Sequence, residues 1–279
     1  MSSIWQDPMA DPISIFGILN ITSDSFSDGG KYLDPTAALA HGRQLMADGA
    51  HVLDIGPASS HPDSAPVSAA EEISRLQAVV PVLQREGALV SVDTFQTETQ
   101  RWALTQNVAF LNDIQGFADE GFYPELASSD AKLIVMHSIQ GRGPATRAAP
   151  PAGYMVDHVT RFFEERFGAL ERAGVARDRL ILDPGMGFFL GNQPEPSLEV
   201  IRGLGALKER FGLPVLVSVS RKSFLRKLAG ADVGGAAAAT LAAELFAASA
   251  GADMIRTHEP RQLADSLAIW DHLSPSGGR

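Results

Sequence analysis

The sequence predicts an α/β fold, a (β/α)₈ TIM barrel in which eight parallel strands alternate with helices. Eight short apolar runs, rich in β-branched residues, alternate with longer amphipathic segments along the 279 residues of the chain. The runs are apolar on both faces, which is typical of strands in a buried parallel sheet. A doubly wound open sheet is the alternative, but no Gly-x-Gly-x-x-Gly pattern follows the first run.

The predicted strands and helices run through the chain without a linker. The strands are 13–18, 51–55, 89–92, 109–111, 132–135, 179–182, 215–219 and 253–255. The helices are 35–48, 69–85, 97–106, 123–128, 154–172, 197–211, 223–228 with 236–248, and 260–272. The first two helices have start signals, namely Asp34-Pro35 and Ser68, which precedes two glutamates. The segment 138–151 contains Gly and Pro and is predicted to be a long loop. We therefore expect one domain over 1–279, with flexible ends at 1–12 and 273–279.

Composition and charge argue against several functions. The formal net charge of −10 disfavours a broad nucleic-acid surface, although a few concentrated cations could still bind an anionic substrate. The absence of cysteine removes disulfides, thiolate catalysis and cysteine-ligated metals. The first residues lack a signal-peptide pattern, and the longest apolar stretch, 234–252, is mostly alanine and contains Glu244. We expect a cytoplasmic protein with no nucleic-acid or membrane partner.

Polar residues follow every predicted strand, at the end of the barrel where barrel enzymes carry their active sites. In chain order they are Asn20; Asp54 with Ser59-Ser60-His61; Asp93; Asn112-Asp113; Met136-His137; Asp183; Ser220-Arg221-Lys222-Ser223; and Arg256 with His258. Carboxylate and amide groups pointing at one axis suit a flat heterocycle with several N–H and C=O groups, such as a pterin or a guanine-like ring. Helix capping is the alternative role for each Asp or Asn taken singly.

The cations among these residues predict an anionic ligand. The Ser220–Ser223 turn places two cations and two hydroxyls between a strand and a helix, and Lys222 could contact the heterocycle or balance the carboxylates. Arg256 and His258 could both bind a phosphate if the chain bends there, whereas His137 is interpreted as a core histidine. The polar, glycine-rich segment 20–30 is predicted to be a lid that could supply oxygen ligands to Mg²⁺.

Taken together, these segments resemble the signature blocks of the dihydropteroate synthases. The resemblance rests on Gly17-Ile-Leu-Asn-Ile-Thr-Ser-Asp-Ser-Phe-Ser-Asp-Gly-Gly30, Asp54-Ile-Gly56, Ser91-Val-Asp-Thr94, Asn112-Asp113, Val135-Met-His137, Asp183-Pro-Gly185, Ser220-Arg-Lys-Ser223 and Arg256-Thr-His258, and it extends over roughly 14–268. It implies a pterin-binding barrel that joins a pterin methyl diphosphate to 4-aminobenzoate, uses Mg²⁺ and tends to form homodimers.

The resemblance also implies roles for single residues. Asp93, Asp183, Lys222 and Arg256 would be catalytic. The pterin would be held by Asp93, Asn112, Met136, Asp183 and Lys222. The aminobenzoate would contact Ser60, Pro62, Phe188, Phe189 and Ser223. The diphosphate would lie near Asn20, His61, Arg256 and His258, with Asn20 also at the metal.

Two loops depart from the usual family pattern. The second loop reads Ser59-Ser-His-Pro-Asp63, so His61 stands where the family usually has an arginine, and the sixth carries a second aromatic residue, Phe189, beside Phe188. These departures resemble the mobile, sulfonamide-insensitive subgroup, and they predict an aminobenzoate site that rejects the drug; the alternative is that Phe189 only repacks an altered loop. Two other functions stay open from the residues, namely a methyltetrahydrofolate-dependent corrinoid methyltransferase and a catalytically silent pterin-binding protein.

Overall fold

Eight parallel strands form the barrel in the computed structural model, which describes residues 13–22, 33–230 and 234–273. Neighbouring strands pair in the order β6-β5-β4-β3-β2-β1-β8-β7, and a parallel bridge between Leu182 and Val215 joins the two outer strands of this series. The sheet therefore closes, and the predicted barrel is confirmed. The strands are β1 (Ser14–Asn20), β2 (Val52–Gly56), β3 (Leu89–Asp93), β4 (Phe110–Asp113), β5 (Lys132–Met136), β6 (Leu180–Asp183), β7 (Leu216–Val217) and β8 (Met254–Thr257).

Helices cover the outer face of the sheet, and two of the predicted helices are each divided in two. Pro81 lies at the start of the second half of predicted helix 69–85, and its missing N–H interrupts the helix. Predicted helix 197–211 is divided at Gly203, whose backbone leaves the helical conformation at φ −87° and ψ 2°. A Cβ there would approach Val156 Cγ2 to 2.8 Å, so the close packing at this break favours glycine. The helices are α1 (Pro35–Ala47), α2 (Ala69–Gln77), α3 (Val80–Arg85), α4 (Thr97–Thr105), α5 (Tyr123–Ala127), α6 (Met155–Arg172), α7 (Glu195–Arg202), α8 (Leu204–Phe211), α9 (Ser223–Ala229), α10 (Ala237–Ser249) and α11 (Pro260–Leu273).

The barrel interior is filled by one buried side chain from most strands. This inner cluster is separate from the larger core between sheet and helices, and consists of Phe16, Val52, Phe110, Ile134, Ile181, Leu216 and Met254. Side chains alternate along a strand, so positions two residues further on also face inwards. At the carboxyl end of the barrel these positions include Asp54, Asn112, Met136, Asp183 and Arg256. Strand alternation thus gathers the predicted site residues around one axis.

Some predicted features lie outside the described residues. These are the segment 1–12, most of the predicted lid (23–30) and residues 274–279, whereas Leu273 is the last residue of α11. A single domain over 1–279 with flexible ends therefore stays a prediction. In the described part of the chain, no helix is both long and apolar enough to cross a membrane.

Candidate active site

A cavity of about 240 Å³ opens at the carboxyl ends of the strands. Most of the predicted site residues line it: Asn20, Ser60, His61, Pro62, Asp93, Phe188, Phe189, Lys222, Ser223, Arg256 and His258. Three others, Asn112, Met136 and Asp183, are not part of its lining and are buried beside it. The structure therefore brings the predicted residues to one end of the barrel, in two layers.

Arg256 lies at the centre of a network of buried polar groups. Its Nη2 donates to Asp93 Oδ2 at 2.6 Å, and its Nε pairs with Asp54 Oδ2, which also lies 3.4 Å from Asn112 Nδ2. The sequence marked Asp54 only as a strand-end residue, and its role as the second partner of Arg256 was missed. The sequence signal that could have indicated this role is the place of Asp54 in the Asp54-Ile-Gly56 block, one of the segments on which the family resemblance rests.

Two buried acceptors in this network have no hydrogen-bond partner among the described residues. They are Asp54 Oδ1 and Asn112 Oδ1. A buried acceptor without a partner is costly, so such atoms usually receive a hydrogen bond from water or a ligand. A flat ligand with N–H donors on its edge would satisfy both of them. Asp113, in contrast, turns into the following loop and accepts from the backbone of Gln115 and Phe117.

Burial moves the pKa of three ionisable groups of the site, Asp93, Asp183 and Lys222, towards neutrality. The pKa of Asp93 is raised to about 7, mainly by burial and against the opposing effect of Arg256. Burial likewise raises the pKa of Asp183 to about 6, although the backbone N–H of Gly185 donates to this carboxylate at 2.8 Å. The pKa of Lys222 falls to about 8, through burial and the nearby Arg256. Near neutral pH these groups can thus exchange protons with a substrate at low cost.

The turn after β7 places its polar residues against the end of β8. Ser220 Oγ lies 2.9 Å from His258 Nδ1, and Arg221, at φ +57°, pairs with Glu259. Burial, followed by the charge of Arg221, lowers the pKa of His258 well below its ordinary value. The imidazole is therefore neutral near pH 7 and would bind an anion by hydrogen bonding and not by charge.

The second, fifth and sixth loops form the outer wall of the cavity. Arg147 of the fifth loop pairs with Asp63, with Nη1 2.6 Å from Oδ1, and its guanidinium lies 5.7 Å from the ring centroid of Phe188. The Ala145 N–H donates to the Ser60 carbonyl oxygen at 3.0 Å. Nothing in the sequence distinguished Arg147 from other loop arginines, so this contact was not predicted.

The side chain of Phe189 is buried between Lys222 and a small apolar cluster. Its ring lies 5.3 Å from Lys222 Nζ and packs in a small apolar cluster with Met136, Ile114 and Ala145. Gly185 precedes this segment at φ +72°, and a Cβ there would meet the His137 carbonyl oxygen at 2.3 Å. His137 itself is buried, with Nδ1 3.2 Å from the Pro184 carbonyl oxygen, as expected for a core histidine.

The described residues contain no group of three or more His, Cys, Asp or Glu side chains that could hold a metal ion. The Asn20 side-chain oxygen nevertheless lies next to Gly56, on the same side as Asp93 Oδ2: a Cβ at Gly56 would be 3.3 Å and 3.9 Å from these two atoms. Such hard oxygen donors fit Mg²⁺ when substrate phosphates complete its coordination.

Carboxylates, an arginine and a lysine around a cavity at the mouth of a closed barrel are typical of an enzyme that acts on a small polar substrate. The model of the family described as "pterin binding enzyme" matches residues 16–258. Dihydropteroate synthase type-2 of Escherichia coli is 59% identical over 261 residues, covering 94% of this chain and 96% of the relative. The type-3 synthase of E. coli is 50% identical and covers 91% and 97%. The structure of Xanthomonas albilineans dihydropteroate synthase with 4-aminobenzoic acid has a TM-score of 0.86, with 34% identity and 95% of each chain covered.

The chain belongs to the dihydropteroate synthases of the pterin-binding enzyme family. It is therefore a transferase, and its similarity to the type-2 and type-3 synthases confirms the predicted subgroup. The 59% identity to a dihydropteroate synthase over 94% of this chain decides against the methyltransferase alternative.

Proposed function

We propose that the chain condenses 7,8-dihydropterin-6-ylmethyl diphosphate with 4-aminobenzoate and releases diphosphate. The observation that carries this proposal is a pair of buried acceptors, Asp54 Oδ1 and Asn112 Oδ1, that have no partner among the described residues and lie beside the cations of the cavity. The acceptors suit the N–H edge of a pterin, and the cations suit its diphosphate. The names of the relatives point to the same reaction.

The pterin would occupy the inner layer of the site. Asp93, Asn112 and Asp183 would accept hydrogen bonds from its ring, while Lys222 would contact its edge and Met136 would pack beside it. As the methylene carbon–oxygen bond breaks, its electron pair leaves with the diphosphate. The Asp93 and Asp183 carboxylates would stabilise the positive charge that develops on the pterin.

The diphosphate would bind where Arg256, His258, His61 and Asn20 line the cavity. Arg256 keeps its charge: burial alone would lower its pKa, but Asp54 and Asp93 outweigh burial and the net shift is upward. Mg²⁺ held by Asn20 and the diphosphate oxygens would add charge neutralisation. The amine lone pair then forms the new carbon–nitrogen bond and the amine loses a proton, so no protein nucleophile is needed.

The aminobenzoate would lie between the loops, against Ser60, Pro62, Phe188, Phe189 and Ser223. Phe189 is held by Lys222 on one side and by its apolar cluster on the other. A bulky ring fixed in this way can accept a compact carboxylate and exclude a larger sulfonamide. We propose on this basis that the enzyme is insensitive to sulfonamides and confers resistance.

We also propose a cytoplasmic homodimer that joins through α10 and α11. Large apolar side chains are exposed on both helices: Phe246 on α10, and Ile269 and Trp270 on α11. The exposed fraction of Ile269 reaches 62%, and exposed apolar side chains on two helices that contact each other favour an interaction surface there.

The test of the proposed function is steady-state formation of dihydropteroate from the two substrates with Mg²⁺, titrated with a sulfonamide. Turnover that persists at high sulfonamide would support both the reaction and the insensitivity. Turnover that sulfonamide readily inhibits would support the proposed reaction and refute the proposed insensitivity. Pterin binding without product would identify a catalytically silent binding protein instead.

A further inference from the structure

A second cleft adjoins the main cavity on its outer side. The two share three lining residues, Phe188, Ser223 and Arg226, which therefore lie at their boundary. The second cleft is also lined by Arg147 and Lys227, and no Asp or Glu belongs to its described lining. The junction is therefore positively charged and lacks an acidic neighbour in that lining.

Arg226 differs from the other long cationic side chains that line the main cavity. Arg256 pairs with Asp54 and Asp93, Lys222 lies within the field of Asp93 and Asp183, and Arg221 pairs with Glu259. The Arg226 Nε, in contrast, is buried and has no hydrogen-bond partner among the residues that the structure describes. A buried guanidinium donor of this kind favours an anionic partner from outside the chain.

The substrate has an anionic group at the corresponding end. In the proposed reaction the amine of 4-aminobenzoate must face the pterin methylene, at the Asp93–Arg256 side of the cavity. The carboxylate is para to the amine and so points away from that side. Phe188, Ser223 and Arg226 line both cavities, whereas Asp93 and Arg256 line only the main one, so the boundary with the second cleft is the candidate place for the carboxylate. We propose that Arg226 binds this carboxylate and sets the preference of the enzyme for an acid over a neutral amide. The inference rests on the proposed function.

The experiment compares Arg226→Gln with Lys227→Gln, which removes the same charge one residue further along α9. Lys227 lines only the outer of these two cavities and bonds to Gln193 Oε1 at 3.1 Å. Each variant and the unmodified enzyme are assayed with 4-aminobenzoate and with 4-aminobenzamide, the latter as substrate or competitive inhibitor. We expect Arg226→Gln to lower the preference for the acid by about tenfold, since a hydrogen bond to a charged group is lost. Lys227→Gln should stay within about twofold of the unmodified enzyme.

Three readouts separate this role from a structural one. The KM for pterin diphosphate should be unchanged in Arg226→Gln, which shows that the barrel and the pterin site are intact, and Arg226→Lys should recover part of the preference for the acid. An unchanged preference in Arg226→Gln, or an equal loss with the acid and the amide, would overturn the inference and leave the proposed function standing. Absence of product from the unmodified enzyme would overturn both.

Discussion

Arg256 Nη2 lies 2.6 Å from Asp93 Oδ2, although 163 residues separate the two along the chain. The same guanidinium pairs with Asp54, so a single cation joins the ends of β2, β3 and β8. This ion pair links the carboxylates proposed to hold the pterin to the arginine proposed to bind its diphosphate.

Asp93→Asn should remove most of the activity, because it takes a carboxylate from both the pterin and Arg256. We expect kcat/KM to fall by at least about 100-fold in steady-state assays. Glu125→Gln is the matched control, since it removes a carboxylate from the exposed Arg101 pair at 2.9 Å and should change kcat/KM by less than about twofold. An Asp93→Asn enzyme with more than a tenth of the original kcat/KM would contradict the assigned role.

Glu244 should make the protein less stable as the pH rises from 5 to 8. Burial raises the pKa of this carboxyl from 4.5 to about 8, so the folded state keeps a proton that the unfolded chain releases within this window. The free energy of unfolding therefore declines with rising pH. Relative to the unmodified protein, Glu244→Gln should gain stability between pH 5 and 8 in urea denaturation. Glu165→Gln, at an exposed position, should show no such trend. A difference in the free energy of unfolding between Glu244→Gln and the unmodified protein that does not change with pH would refute the prediction.

Gly185→Ala should cost more than a glycine substitution in open space. Gly212, at φ +60° with no atom within 4 Å of a Cβ, is the matched control, and its replacement by Ala should lower the free energy of unfolding by about 1–2 kcal/mol. Gly185→Ala adds the clash with the His137 carbonyl oxygen and should cost at least about 1 kcal/mol more. An equal loss in the free energy of unfolding for Gly185→Ala and Gly212→Ala, measured by chemical denaturation, would mean that the backbone around Gly185 shifts to relieve the clash.

Deletion of Phe189 should restore inhibition by sulfonamides. We expect the inhibition constant to fall by at least about tenfold while the KM for 4-aminobenzoate changes by less than about threefold, because the ring excludes the larger molecule. Deletion of Gly141 is the control for the effect of shortening a loop by one residue. Gly141 lies in the fifth loop, and a Cβ added there would have no atom within 4 Å. Unchanged inhibition constants would show that Phe189 only repacks the loop.

Phe246→Glu should convert the proposed homodimer into monomers. Phe246 is 48% exposed on α10, and a charge there would be buried on association. Size-exclusion chromatography with light scattering measures the change. Leu33→Glu alters another exposed apolar residue, which belongs to neither α10 nor α11, and should leave the mass unchanged. A monomeric unmodified protein would refute the assembly.

The barrel could be predicted because its signals are local. Apolar runs and helix start signals are read within a few residues, and all eight strands were predicted with boundaries that differ by at most two residues from the structure. The breaks before Pro81 and at Gly203 were not predicted, because the apolar helical pattern continues through them. The packing of Gly203 against Val156, a residue 47 positions earlier, is a tertiary contact that local patterns do not show.

By itself, the sequence determined the fold, the end of the barrel that carries the site and most of the residues gathered there. These follow from strand alternation and from the order of the strands in a parallel barrel. Only the tertiary structure decided which of these groups are partners: that Arg256 joins Asp54 to Asp93, that Arg147 reaches Asp63, and that Arg226 Nε has no partner in the described part of the chain. The physical reason is that side chains far apart in sequence form contacts according to loop conformation and burial, which local patterns do not encode.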